Sequence, residues 1–196
     1  MSSKIRFLHS CSQSDMFDIY LKDCMLCSNL SYMDYTDYQD IDHGKVIFKI
    51  CPPKKLYSIL DVYTYVSENS YQTAVITGLN GDLSFFVVPD AYIPISYNKA
   101  FIRFVNLAPD TNLDFILYDD SKKAFRDIEY KEVTDYYPVY SDTYDIAVKI
   151  SKTNKTFLTI NNVTLQKNRF YTIYVFGFTR DSTSPGFLIF TDGAYQ

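Results

Sequence analysis

Apolar positions along this chain recur at every second residue. Ile5, Phe7 and His9 alternate with Arg6 and Leu8, and Val46, Phe48 and Ile50 with Ile47 and Lys49. Tyr144, Ile146, Val148 and Ile150 alternate in the same way with Asp145, Ala147 and Lys149. A period of two belongs to strands, whose side chains point by turns to either face of a sheet; a helix repeats at 3.6. Val, Ile, Thr, Tyr and Phe fill these runs, the residues that pack well on a pleated, half-buried surface. The pattern predicts strands near 4–9, 17–21, 25–31, 35–40, 44–50, 57–63, 71–79 and 83–88. It predicts a second set near 101–106, 113–118, 123–130, 133–138, 143–150, 155–160, 169–178 and 186–191. Asn80-Gly81, between two apolar runs, is the expected turn of a hairpin, because both residues accept positive φ.

The second set repeats the first. Ile5-Arg6-Phe7-Leu8-His9 returns as Ile102-Arg103-Phe104-Val105-Asn106, and Asp18 returns as Asp114. Tyr32 with Thr36-Asp37-Tyr38 returns as Tyr130 with Thr134-Asp135-Tyr136. Asn69, Thr73 and Gly78 match Asn168, Thr172 and Gly177; Phe85 and Asp90 match Phe187 and Asp192. A period close to a hundred residues is a whole domain, not the short unit of a solenoid. The expected fold is therefore all-β: two tandem antiparallel β-sandwich domains of immunoglobulin-like size, over residues 1–93 and 94–196. An up-and-down barrel is the alternative. Pro89 is expected to end the last strand of the first domain, and 91–99, with Pro94, Ser96, Tyr97 and Asn98, to be the linker.

Composition narrows the function. Apolar residues make up 47% of the 196, with 15 Phe, 19 Tyr and no Trp, which favours folded domains over disorder. The formal charge is -4 with 19 Lys and Arg, and no basic run extends past the neighbourhood of Lys54-Lys55, so a nucleic-acid partner is not expected. No apolar stretch is long enough for a transmembrane segment. No signal peptide is read at the start, so cytoplasmic synthesis is expected.

The opening I-R-F-V-N-L-A-P-D at 102–110, Asp114 after it, T-D-Y at 134–136 and F-Y-T-I-Y-V-F-G at 170–177 together form a recognisable pattern. It resembles a bacterial and archaeal domain of unknown function, found as tandem copies in surface proteins, that opens R-F-[VL]-[HN]-x-[SA]-P-D. The first copy, I-R-F-L-H-S at 5–10, is similar, but Cys11-Ser12-Gln13-Ser14 stand where Pro and Asp would follow. The resemblance spans both halves. It implies a sandwich fold and a surface setting, with no established activity.

Positions shared by both copies are expected to hold the fold. Asp18 and Asp114 should accept backbone hydrogen bonds, Thr36-Asp37 and Thr134-Asp135 should act alike, and Gly78 and Gly177 should mark a bulge or a close backbone approach. The chemistry peculiar to one copy lies in the first half: Cys11, Cys24, Cys27 and Cys51, and both histidines, His9 and His43. Cys24 and Cys27 have the spacing of a zinc knuckle that Cys11 and Cys51 could complete, but these two are lone residues where a structural site usually has a second close pair, so free, partly buried thiols are the expected state. A thioredoxin-like reading lacks its βαβ context, and a His9–Cys11 nucleophile pair lacks an orienting group. None of the common nucleotide, hydrolase or metalloprotease motifs occurs. No catalytic, cofactor-binding or metal residue is assigned, no cofactor is expected, and the protein is read as no enzyme.

The tyrosines remain. Tyr32, Tyr35 and Tyr38 recur at every third position, Tyr63 and Tyr65 at every second, and Tyr136, Tyr137, Tyr140 and Tyr144 cluster in the second copy. They either line core and edges or present phenols to sugars, to a protein partner or to oxidative coupling. Asn29, Asn154 and Asn162 stand in glycosylation patterns that carry meaning only for a secreted chain. The expected function is a non-catalytic structural or interaction protein of a bacterial surface layer, a spore coat being one such setting, with protein partners in that assembly. A glycan-binding module using exposed Tyr, and a thiol or zinc site in the first domain, are the alternatives.

Overall fold

The computed structural model describes residues 2–12, 14–55, 57–79, 82–91, 98–118, 123–179 and 185–193, and among these there is no helix. The chain divides into two compact units, Met1–Tyr92 and Ile93–Gln196. The first carries β1 (Ser3–His9), β2 (Phe17–Leu21), β3 (Cys24–Leu30), β4 (Gln39–Ile41), β5 (Gly44–Cys51), β6 (Leu60–Val66), β7 (Tyr71–Leu79) and β8 (Asp82–Asp90). The second carries β9 (Lys99–Leu107), β10 (Leu113–Tyr118), β11 (Lys123–Ile128), β12 (Tyr137–Tyr140), β13 (Asp142–Ile150), β14 (Thr156–Leu165), β15 (Phe170–Phe176) and β16 (Gly186–Asp192).

In the first unit the sheets run β4-β1-β7-β8 and β3-β2-β5-β6; in the second, β12-β9-β15-β16 and β11-β10-β13-β14. The two plans are the same strand for strand. Each unit has two open sheets with edges, so the barrel alternative falls away. One pair per unit, β1 with β7 and β9 with β15, is parallel, where an all-antiparallel arrangement was expected. The chain builds the whole of the other sheet between those two strands, which supplies the long crossover a parallel pair requires.

Both sheets of the first unit contribute to one core. Ile5, Phe7, Ala74 and Ile76 come from one sheet, Phe17, Ile19, Phe48, Ile50 and Val66 from the other. The Phe7 and Phe48 rings meet edge to face across the sandwich at 5.3 Å. In the second unit Ile102, Phe104, Ile173 and Val175 face Leu113, Phe115, Ile146 and Val148, with Phe104 stacked on Phe115 at 4.5 Å. Each of these side chains other than that of Ala74 contributes roughly 1.5–3 kcal/mol by leaving water.

Several boundaries differ from expectation for local reasons. β4 and β12 begin later than predicted. Thr36 and Thr134 use their hydroxyls to accept the amides of Phe7 and Phe104, at 3.0 and 2.9 Å, and the chain touches the sheet there through single bridges, Leu8 with Tyr35 and Val105 with Val133. Pro89 does not end β8, which continues to Asp90 with Pro89 in register opposite Gln72. An edge strand tolerates the missing N–H. The Asn80-Gly81 turn and most of the expected linker, 92–97, lie outside the described residues.

Candidate binding face

Four of the repeated residues meet in each unit. Arg6 on β1 donates from Nε to Thr73 Oγ1 on β7 at 2.7 Å, and Thr73 donates to Asp90 Oδ2 on β8 at 2.6 Å. Tyr38 donates to the same oxygen at 2.7 Å, and the Arg6 guanidinium lies 4.5 Å from the Tyr38 ring centre. The second unit repeats this with Arg103, Thr172, Asp192 and Tyr136: Arg103 Nε to Thr172 at 2.7 Å, Tyr136 to Asp192 at 2.7 Å, and Thr172 to Asp192. Arg6, Thr73 and Asp90, like Arg103, Thr172 and Asp192, are buried. Burial, and then the Asp192 carboxylate, push the Tyr136 phenol far above its usual range, so it stays a donor. A buried carboxylate of this kind is tolerable only because its oxygen is hydrogen-bonded and charge-paired.

Asp18 and Asp114 act as expected. Asp18 accepts the amides of Asn29 and Lys54, each at 2.8 Å; Asp114 accepts the amide of Asp127 at 2.8 Å and the Ser151 hydroxyl at 2.6 Å. Each carboxylate sits where the β2–β3 or β10–β11 register slips, and Asn29 and Asp127 carry the positive φ of the slip, 53° and 56°. The aspartate fastens a bulge. Gly78 makes the close approach expected of it: a Cβ there would fall 2.3 Å from the Asp82 carbonyl oxygen. Gly177 instead has φ 113°, just beyond β15.

His9 has a structural duty. Its Nδ1 accepts the Cys11 amide at 3.1 Å, its Nε2 meets the Asp15 carbonyl oxygen at 3.0 Å, and its ring stacks on Phe17 at 4.5 Å. Asn106 does the same in the second unit, accepting from the Ala108 amide at 2.8 Å and donating to the Thr111 and Ile128 carbonyls at 2.9 Å. With both nitrogens turned to the backbone, His9 does not activate Cys11, whose Sγ lies 3.0 Å from Ser14 Oγ. His43 is exposed, just before β5.

All four cysteines are free, Cys11 and Cys51 buried and Cys24 exposed. Among the described residues no three His, Cys, Asp or Glu side chains are placed to hold a metal, so the structure does not assemble the four-thiolate set. Burial raises the Cys27 and Cys51 thiols, which favours the protonated form over the thiolate that zinc needs.

The tyrosines divide. Tyr38 and Tyr136 belong to the buried clusters, Tyr32 lies edge-on to His9, and Tyr144 is buried and donates to the Tyr140 carbonyl at 2.8 Å. Tyr137 packs edge-on to Phe125, while Tyr140 is exposed with Lys99 Nζ 5.1 Å from its ring centre. Tyr63 and Tyr65 differ from all of these. They stand 76% and 60% exposed on the outward side of β6, whose other side, Leu60 and Val62, packs on the core.

The strand register extends that pair into a surface. Ile47, 38% exposed, lies opposite Tyr63, and Lys45 opposite Tyr65. One row further, Met25 (48% exposed), Tyr20, Lys49 and Asp61 cross all four strands from β3 to β6. Rows are about 7 Å apart along the strands and about 4.8 Å between strands. The face thus carries three phenol rings, those of Tyr63 and Tyr65 exposed and that of Tyr20 half-buried, with a thioether and a branched aliphatic side chain in water, interleaved with two ammonium groups and one carboxylate. Desolvation, then Asp18, raises the Tyr20 phenol and keeps it a donor. A cleft of about 520 Å³ lies elsewhere in this unit, between Met16, Ile59, Asp82 and Leu83.

The model of a domain of unknown function, DUF4397, matches the chain at residues 3–115 and again at 112–195. The chain belongs to the DUF4397 family. The DUF4397 domain thus occurs here as a tandem pair. Among solved structures, a family-26 carbohydrate-binding module of Eubacterium rectale Amy13K, in complex with maltoheptaose, is 10% identical; the match covers 97% of this chain and 96% of that one, with a TM-score of 0.30. A candidate cell adhesion protein of Bacteroides ovatus is 9% identical over 100% and 99% of the two chains, with a TM-score of 0.28. Both superpose loosely, and neither bears on what this DUF4397 protein binds. No curated protein matches it. No helix among the described residues is long and apolar enough to cross a membrane.

Sequence reasoning singled out Tyr63 and Tyr65 but missed Met25, Ile47 and Lys45, which join them only through strand register. It matched Arg6, Thr73, Asp90 and Tyr38 to their counterparts without bringing the four together.

Proposed function

We propose that this protein is a non-catalytic interaction protein of a bacterial surface assembly, and that the outward face of β3-β2-β5-β6 in the first unit is where its protein partner docks. The observation that carries the reading is the exposure of Tyr63, Tyr65, Ile47 and Met25 together on one sheet face. Tyr is an efficient interface anchor because it buries a large rigid ring and still donates a hydrogen bond. Single exposed apolar residues are ordinary, but Ile47, Tyr63 and Tyr65 as neighbours, with Met25 beyond Tyr20 and with Lys45, Lys49 and Asp61 interleaved, have the make-up of a recognition surface. The repeated Arg6, Asp18 and Asp90, with their counterparts Arg103, Asp114 and Asp192, are by contrast taken up in holding the fold.

A spore coat is one assembly that a chain with 19 tyrosines suits. Tagging the protein through vegetative growth and sporulation tests that setting: a coat protein concentrates at the forespore, and a uniform cytosolic signal contradicts it. The docking face is tested by sedimentation of the purified full chain with isolated surface layers of the source cells. Tyr63→Ser with Tyr65→Ser should abolish co-sedimentation, and wild-type retention by both defeats the reading.

A glycan is the second reading, favoured by the spacing of Tyr63 and Tyr65 beside two lysine donors. Protection of those rings from chemical modification by a soluble surface polysaccharide, with no protein present, would select it.

A further inference from the structure

The edge of β6 is uninterrupted, as are the edges of β8 and β16 in the other sheet of each unit. Among the described residues, strand β6 pairs on one side only, with β5, and ends its sheet. Its register with β5 runs unbroken from Gly44 opposite Val66 to Ile50 opposite Leu60. The other edges of this sheet and of its counterpart in the second unit are all interrupted. β3 slips twice against β2, β11 slips against β10, and β13–β14 slips twice, with Asn162 at φ 58° tied to Asp145 at 2.9 Å. Bulges of this kind keep an exposed edge from templating another strand. β6 has none, and its sequence, Leu-Asp-Val-Tyr-Thr-Tyr-Val, contains no Pro or Lys and a single charge.

We propose that β6 is the docking edge for a second copy of this chain, joined by antiparallel β6–β6 pairing into a continuous eight-stranded sheet. The sequence is self-complementary in one register. A two-fold axis at Tyr63 places Tyr63 opposite Tyr63 of the second copy, Val62 opposite Thr64, Leu60 opposite Val66 and Asp61 opposite Tyr65. The strand's only charge therefore meets a phenol rather than a second carboxylate, and like charges facing each other across strands are what such pairing must avoid. The outward rings of both copies then lie on one side and cover each other, and every backbone group of the edge gains a partner, as in other strand additions. The contact is isologous and so closes at two copies. It uses the strand's edge, where the docking reading uses the sheet's face; Tyr63 takes part in both, so a change at Ile47, on the face but not the edge, is what separates them.

Sedimentation velocity of the full chain, in a concentration series reaching several hundred micromolar, tests this. The expected result is a monomer–dimer equilibrium that Tyr63→Lys, placing two ammonium groups opposite each other, weakens roughly tenfold or more. Tyr63→Ser should give a smaller loss in the same direction and covers the case in which the Lys variant fails to fold. Ile47→Ser, on the neighbouring strand, should leave the dimer unchanged while removing binding to surface layers. A monomer at every concentration, a dimer untouched by both Tyr63 variants, or one lost equally with Ile47→Ser overturns the proposal.

Discussion

The β3-β2-β5-β6 face of the first unit and the β11-β10-β13-β14 face of the second are built on the same strand plan, yet they offer water different things. By register, Ile116 stands where the first unit has Tyr20, Ala147 where it has Lys49, Asp145 for Ile47, Thr143 for Lys45, Thr159 for Asp61 and Thr164 for Tyr65. The second face is mostly short and self-satisfied, although Tyr118, opposite Asp145, stands 45% exposed at its end. Asp145 accepts the Asn162 amide at 2.9 Å, and the Thr143 and Thr164 hydroxyls meet at 3.0 Å. The first face carries long rings and aliphatic groups with nothing on the sheet to absorb them. Duplication preserved the buried Arg–Thr–Asp–Tyr cluster and the bulge-fastening aspartate in both units, so divergence on one face locates the feature that the fold does not need.

The largest effect should come from the shared cluster. Asp192→Ala removes the carboxylate that faces the buried Arg103 charge and should cost about 3–5 kcal/mol. Denaturant unfolding measures the loss, and hydrogen exchange should localise it to β9, β15 and β16. Asp90→Ala should act equally on the first unit; a cost under about 1 kcal/mol for both would mean that the cluster does not hold the sheets.

Next is the bulge clamp. Asp18→Ala orphans two backbone amides and should cost roughly 1–3 kcal/mol, as should Asp114→Ala. The matched pair sharpens the claim that equivalent positions do equivalent work. Asn29 and Asp127 should lose exchange protection in their own unit only.

A smaller, pH-dependent difference should separate the units at His9 and Asn106. Burial lowers the His9 pKa from its ordinary 6.5. The unfolded chain therefore binds the proton first as pH falls, and the stability tied to neutral His9 is whole above pH 6.5 and declines below it. His9→Asn, which installs the second unit's residue, should flatten the stability profile between pH 6.5 and about 5, above the range where carboxylates take over. An unchanged slope in thermal melts across that window would contradict the assignment.

Much of the fold was legible because period two and the repeat are local signals. The strand runs at 17–21, 71–79 and 113–118 match β2, β7 and β10 residue for residue. The parallel β1–β7 pair was not legible, since partner and direction are set by the path of the chain and not by either strand's own pattern. The late starts of β4 and β12 depended on a threonine hydroxyl replacing a ladder bond, which composition does not reveal. The site was half visible: Tyr63 and Tyr65 share a face by alternation alone, but Ile47 and Met25 joined them only once β5 and β3 fell into register. C-x-x-C spacing at Cys24 and Cys27 left a zinc site open beside the expected free thiols because a sequence does not show where distant thiols lie.

The most direct measurement of the central claim exchanges the two faces. A full chain with Ile47→Asp and Tyr65→Thr, the residues of the second unit, is compared with one carrying Thr143→Ala and Thr164→Ala, both by binding to isolated surface layers. The account predicts loss of binding by roughly tenfold or more for the first variant and none for the second, with stability of both within about 0.5 kcal/mol of the parent. Equal binding by both variants, or loss only in the second, would contradict it.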